Sequence, residues 1–262
     1  MSYFRSYFEK NNTIIKDSLV NTSKNPTTEI FYGIGLSRFI FKIDLTDLKS
    51  KLDSGDYVID ENTKHTLHLT NCIFGDEGLK GQNRSTGRDR ATSFDLILFR
   101  INEFWDEGVG FDYNDFNLSK NSAIGGSTPL TYVDSRSFST RPSNWYQTTT
   151  ISGWSQSGIY DNKNEGTVNF SGLTIVATQH FELGNEDLNM NMTSEIQGVL
   201  NGSITGVTGW GLAYLPQIEN ITGLTDSYSV AFFSKDTQTF YQPFLLTNYD
   251  DLIKDDRNVF LK

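Results

Sequence analysis

The chain has one cysteine, three histidines and five prolines in 262 residues. A single cysteine, Cys72, cannot close an internal disulfide. It follows the extended run Thr66–Thr70 and reads as a small core or strand-end residue, because a catalytic thiol needs a base beside it and the sequence names none. His65 and His68 stand three apart on an extended stretch and so point to opposite faces, while His180 lies far along the chain. No triad or metal-ligand spacing emerges from them.

Positive charge is also sparse. The formal net charge is −10 and the densest basic stretch, Arg84 to Arg90, is interrupted by Gly, Ser, Thr and Asp. It reads as a solvated loop, and the balance argues against a direct nucleic-acid partner or an anionic membrane surface. No run approaches the roughly 20 apolar residues that cross a bilayer as a helix. The first eight residues, MSYFRSYF, lack the apolar core and small-residue cleavage site of a secretion signal, so the expectation is synthesis in a cytosol without export. Gly33-Ile34-Gly35 lacks the strand–helix context of a dinucleotide fingerprint. Asp106-Glu107 invites comparison with paired glycosidase carboxylates, but adjacent residues on extended chain point apart, and capping a turn accounts for them. The expectation is a non-enzyme, with no catalytic, cofactor-binding or metal-binding residues.

What the chain does have is aromatics, at 13%, with 19 Phe, 12 Tyr and 22 Gly. That composition suits strands joined by tight turns. Thr28–Gly33 reads as a short strand closed by glycine. In Ser37–Leu45, Phe39, Phe41, Ile43 and Leu45 alternate with Arg38, Ile40, Lys42 and Asp44. Thr66–Asn71 alternates with Leu67 and Leu69 inward and His68 outward. In Ser93–Asn102 both faces are apolar, Phe94, Leu96 and Leu98 against Ile97, Phe99 and Ile101, as in the centre of a two-sheet sandwich. Leu173–Ala177, Gln179–Leu183, the alternating Leu188, Met190 and Met192, Gly209–Leu215, Ser227–Phe233 and Pro243–Tyr249 complete the strands. Thr193–Gly202 reads as one short helix with Thr193 as N-cap and Asn201-Gly202 as the stop. The fold expected is all-β, a two-sheet jelly-roll sandwich with one short helix and a long loop-rich insertion.

The expected organisation is an N-terminal arm over 1–26, a jelly-roll domain over 27–251 with an insertion at about 114–170, and a C-terminal tail over 252–262. In the arm, Tyr3, Phe4, Tyr7 and Phe8 have the spacing of one helix face or of an arm that docks on a neighbour. The insertion is rich in Ser, Thr, Asn and Gly, and its aromatics include Trp145, Tyr146, Trp154 and Tyr160; the tail ends in Val259-Phe260-Leu261. These aromatics, with Phe260, are the candidate interface residues.

Five segments in order resemble the DNRLRE-type domain, a jelly roll related in shape to carbohydrate-binding modules. They are Arg38–Leu45, Thr66–Leu69, Ile101–Phe111, Leu188–Leu215, and Phe233-Ser234 with Pro243–Tyr249. The insertion and the missing secretion signal depart from that pattern. The whole chain resembles virion structural proteins of crAss-like phages, podoviruses of gut Bacteroidetes. Trp145–Tyr160, Asn248-Tyr249-Asp250-Asp251 and Asp255-Asp256-Arg257-Asn258 carry that resemblance.

The resemblance implies a virion subunit assembled in the host cytoplasm, a tail or collar ring component that contacts copies of itself and neighbouring virion proteins. The alternative is a carbohydrate-binding module for host attachment, with Trp145, Tyr146, Trp154 and Tyr160 stacking on sugar rings. Glycan is a partner only under that alternative. The jelly-roll relationship also implies a structural calcium among Asp106, Asp112, Asp250 and Asp251, against the plainer reading of solvated surface acids.

Overall fold

The computed structural model describes residues 2–15, 22–72, 89–102, 105, 107, 174–219 and 221–250. They form an all-β sandwich of one large, nearly closed antiparallel sheet and a smaller second sheet. The large sheet runs β7 (Ile175–Phe181), β6 (Phe94–Ile101), β9 (Gly209–Tyr214), β3 (Ser37–Ile43), β1 (Ser2–Ile15), β11 (Phe244–Tyr249), β4 (Lys64–Leu69), β8 (Leu188–Asn191). The small one runs β2 (Thr27–Gly33), β10 (Ser227–Phe233), β5 (Asp89–Arg90).

The large sheet is two layers joined through β1. Residues 2–7 of β1 pair with β11, residues 8–15 pair with β3, and the register slips between Phe8 and Lys10. A bulge of this kind lets one strand leave one layer and enter the other. The opposite edges nearly meet, because Gln179 of β7 accepts from the Asn189 amide (2.7 Å) and donates to the Asp187 carbonyl (2.9 Å) beside β8.

The core lies between the layers. Phe8 stacks on Phe41 at 4.4 Å and 3°, and Phe94 stacks on Phe181 at 5.1 Å. Ile30, Val230 and Phe232 of the small sheet point into the same cluster. Each such side chain removed from water contributes about 1.5–3 kcal/mol. Strand β6 carries Phe94, Leu96 and Leu98 into this core and Ile97, Phe99 and Ile101 into a second one on its other face, as its two-sided pattern implied. Phe99 lies opposite Gly211 of β9, where any Cβ would collide with its ring.

Several expectations need correction. The described part of the 1–26 segment is neither a helix face nor a detached arm, since β1 sits inside the large sheet. A spacing of four is in phase with both the helical and the strand period, so Tyr3, Phe4, Tyr7 and Phe8 fit either. The Asn11-Asn12-Thr13 run also hides the strand. Its polar groups are buried but partnered: Asn11 Nδ2 donates to the Ser23 carbonyl (2.8 Å), Asn12 Oδ1 accepts from the Thr22 amide (3.2 Å), and Thr13 meets Thr28 (2.7 Å).

There are three helices among the described residues, not one: α1 (Thr46–Ser54), α2 (Thr193–Leu200) and α3 (Pro216–Glu219). The signals for α1 were present in buried Leu48, the Lys49–Asp53 pair and Gly55, whose φ of 77° closes the helix. Thr193 begins α2 but does not cap it with its side chain; its hydroxyl accepts from the His65 amide instead (3.0 Å). The two strands expected on either side of Thr178 are one continuous strand, β7, over Ile175–Phe181. Arg38, on the side of β3 that also carries Ile40 and Lys42, is fully buried and ion-paired with Glu219 of α3, whose side chain is equally buried. The insertion at 114–170 and the tail at 252–262 lie outside the described residues.

Candidate interaction face

One side of the β1–β11–β4–β8 layer is open to solvent. Alternation puts Tyr3, Arg5 and Tyr7 outward from β1, and the register aligns them with Asn248, Leu246 and Phe244 of β11. Those residues stand beside Lys64, Thr66 and His68 of β4, and Asn191 and Asn189 of β8 follow. Carboxylates border these residues: Glu9 is the next exposed residue of β1, Asp250 follows β11 and accepts from Asn62, and Asp187 lies near enough to His68 to act on its charge. Arg5 and Lys64 are the charged groups among the outward residues themselves.

Phe244 is the centre of the face. The Arg5 guanidinium lies 4.4 Å from its ring centroid, His68 stacks on it at 5.0 Å, and Tyr7 meets it edge-on at 6.3 Å. Such ring and cation contacts contribute about 0.5–1 kcal/mol each at an exposed site, and they hold the rings in fixed orientations. Burial lowers the His68 pKa and the Arg5 charge adds to that, against the raising effects of the Asn189 hydrogen bond and the Asp187 carboxylate. Tyr3 remains 69% exposed and Tyr7 48% exposed. The turn entering β11 exposes Phe240 fully and stacks Tyr241 on Phe233 of the small sheet at 5.3 Å.

Of the four N-terminal aromatics expected at an interface, the fold brings Tyr3 and Tyr7 together on this face. Phe4 and Phe8 point the other way, Phe8 into the core. Trp145, Tyr146, Trp154, Tyr160 and Phe260 lie outside the described residues. Sequence reasoning did not assign Arg5, His68 and Phe244 to a shared site. The outward placement of His68 was legible in its strand, but its adjacency to Phe244 arises from strands far apart in sequence.

Other clusters have clear structural work. Glu107 binds three segments: it accepts from the Asn11 amide (2.9 Å), Lys24 (2.7 Å) and Lys235 (2.9 Å). Trp105 is buried beside it, under Lys10. Asp106 lies outside the described residues. Arg100 bonds Glu195 through two nitrogens (2.8 and 2.6 Å), and Glu195 also accepts from the Trp210 indole (3.1 Å). In front of Trp210 a cavity of about 340 Å³ has an apolar floor that includes Ile43 and Leu200, with Glu9, Lys42, Asp44 and Lys49 at its rim.

His65 is fully buried between Tyr57 (3.0 Å) and Thr247 (2.9 Å), and burial lowers its pKa to about 4. His180 is exposed, with Asp95 on one ring nitrogen (3.0 Å) and Glu182 on the other (3.2 Å). Their hydrogen bonds raise its pKa, with Glu182 the larger cause, and leave neither nitrogen free as a base. Burial pushes the Cys72 thiol up to about 12. Among the described residues no three His, Cys, Asp or Glu side chains gather as for a metal ion. Asp250 accepts from the Asn62 amide (2.8 Å), while Asp106, Asp112 and Asp251 lie outside the described residues. No described helix is long and apolar enough to cross a membrane.

No protein-family model matches the chain, and no curated protein is similar to it.

Proposed function

We propose that the chain is a structural subunit of a phage virion, a tail or collar ring component that acts through protein–protein contacts and carries no chemistry of its own. One observation supports this reading above the others: a four-stranded face with exposed tyrosines and a central Phe–Arg–His stack. Tyr and Arg on a solvent-accessible, rigid sheet are the residue types that anchor protein interfaces. The sequence resemblance to virion proteins of crAss-like phages points the same way. In this reading the partners are copies of the chain and neighbouring virion proteins, and the place of work is the particle, assembled in host cytoplasm.

A second reading has one observation of its own. Tyr3 and Tyr7 expose their rings on a sheet, Tyr3 opposite Asn248, and Asn189 and Asn191 lie on β8 beyond β11 and β4, an arrangement suited to stacking on sugar rings and hydrogen-bonding their hydroxyls. That would make the chain a carbohydrate-binding module for host attachment. Light scattering of the purified chain, alone and with the other components of its source particle, separates the two. A closed oligomer, or recruitment into one, supports the structural subunit. A strict monomer that ignores those components and binds a glycan array supports the carbohydrate module.

A further inference from the structure

Backbone ladders join every neighbouring pair of strands in the large sheet, from β7 through β6, β9, β3, β1, β11 and β4 to β8. The join that would close the sheet, between β8 and β7, has no ladder among the described residues. A side chain makes it instead. The Gln179 carboxamide accepts from the Asn189 amide (2.7 Å) and donates to the Asp187 carbonyl (2.9 Å), as a peptide unit of a neighbouring strand would.

This seam lies between two fixed points. At one end the turn from β7 to β8 is pinned to both layers. Ser93, just before β6, donates to the Glu182 carbonyl (3.0 Å). Asn71, after β4, bonds the Gly184 and Glu186 carbonyls (3.2 Å each) and the Asp187 carboxylate (2.7 Å). At the other end Arg100 of β6 holds Glu195 of α2 through two nitrogens (2.8 and 2.6 Å). Between them only Gln179 crosses from β7 to the edge of β8. Along that stretch β7 is exposed or half-buried at every position from Ile175 to His180, whereas Leu188 and Met190 of β8 are buried behind it.

We propose that the sandwich opens along this seam while the rest of the fold stays closed, and that Gln179 is the latch that holds it shut. Parting two strands of a ladder breaks a row of backbone bonds. Parting β7 from β8 breaks the two bonds of one side chain, each of small net worth. Segments closed by few hydrogen bonds and little buried apolar surface open well before the whole molecule unfolds. Opening frees the Asp187 carbonyl and the Asn189 amide, edge groups that a strand of another chain would otherwise pair with, so the closed latch also protects that edge.

Met190 supplies the probe, because its thioether is buried behind the seam and peroxide oxidises it only when it is uncovered. Oxidation of the full chain by dilute hydrogen peroxide is followed at Met190 by peptide mass spectrometry, with and without urea below the unfolding transition. The Met190 rate should depend on urea more weakly than global unfolding does, since a partial opening exposes less surface. Gln179→Leu removes both bonds and should speed the reaction about tenfold. Gly211→Ala strains β9 against Phe99 whether the seam is open or closed. It should lower global stability and leave the Met190 rate at the wild-type value. Circular dichroism shows that each variant is folded.

A folded Gln179→Leu chain that oxidises at the wild-type rate overturns the latch. A Met190 rate that follows global unfolding in urea, or that Gly211→Ala raises as much as Gln179→Leu does, overturns the seam opening itself.

Discussion

Acid should loosen this fold through His65. The imidazole is fully buried, hydrogen-bonded to Tyr57 and Thr247, and burial alone lowers its pKa to about 4. In the unfolded chain it titrates near 6.5. A depressed histidine pKa means that the folded state resists the proton, so stability is complete above pH 6.5 and is lost as pH falls from 6.5 toward 4. The full loss is about 3 kcal/mol, from roughly 2.5 pKa units at 1.36 kcal/mol each. At pH 5 about 2 kcal/mol of it is gone, or about 4–8 °C in melting temperature for a chain of this size. Carboxylates titrate in the same range, so the measurement is a comparison. Urea unfolding of wild type and His65→Gln at pH 7.5 and pH 5, followed by tryptophan fluorescence, isolates the histidine, since glutamine keeps polar partners for Tyr57 and Thr247 but does not titrate. Wild type should lose about 2 kcal/mol more than the variant between the two pH values. Equal losses would refute the reasoning.

Gly211→Ala sets a methyl group against the Phe99 ring and should cost about 1–3 kcal/mol, with Phe99→Leu in the same chain recovering part of it. Thermal melts of the single and double variants check this. Glu195→Gln leaves the Arg100 guanidinium without its counter-charge and weakens the bond to Trp210, for an expected loss of about 3 kcal/mol in urea unfolding. Cys72, with its thiol pushed up to about 12, should react slowly with a disulfide reagent at pH 7.5 in the folded chain and rapidly once urea unfolds it. Equal rates in both states would contradict the burial argument.

The strands that alternate cleanly were legible because a two-layer sandwich imposes a period of two, and β6 announced its central place by being apolar on both faces. Strand β1 was not, for reasons internal to it. Its aromatics repeat at four, which both periods accept, and its buried asparagines are satisfied by Ser23 and Thr22, partners that periodicity cannot name. Arg38 shows the same limit, because its burial depends on Glu219, a partner far along the chain. The interaction face was half visible. Tyr3 and Tyr7 were singled out, and His68 was assigned to the outward side of its strand. Only the pairing of β1 with β11 and of β11 with β4 brings them onto one face with Phe244. Non-local pairing of that kind leaves no mark in a local window.

The central claim is that the chain belongs to a particle. The most direct measurement is to purify the source virions through a density gradient and quantify the chain in the particle fraction by mass spectrometry against a known capsid component. The account expects co-sedimentation at a fixed ratio of several copies per particle, retained after a salt wash that strips adventitious protein. A chain found wholly in the soluble fraction, with none in the washed particles, would contradict it.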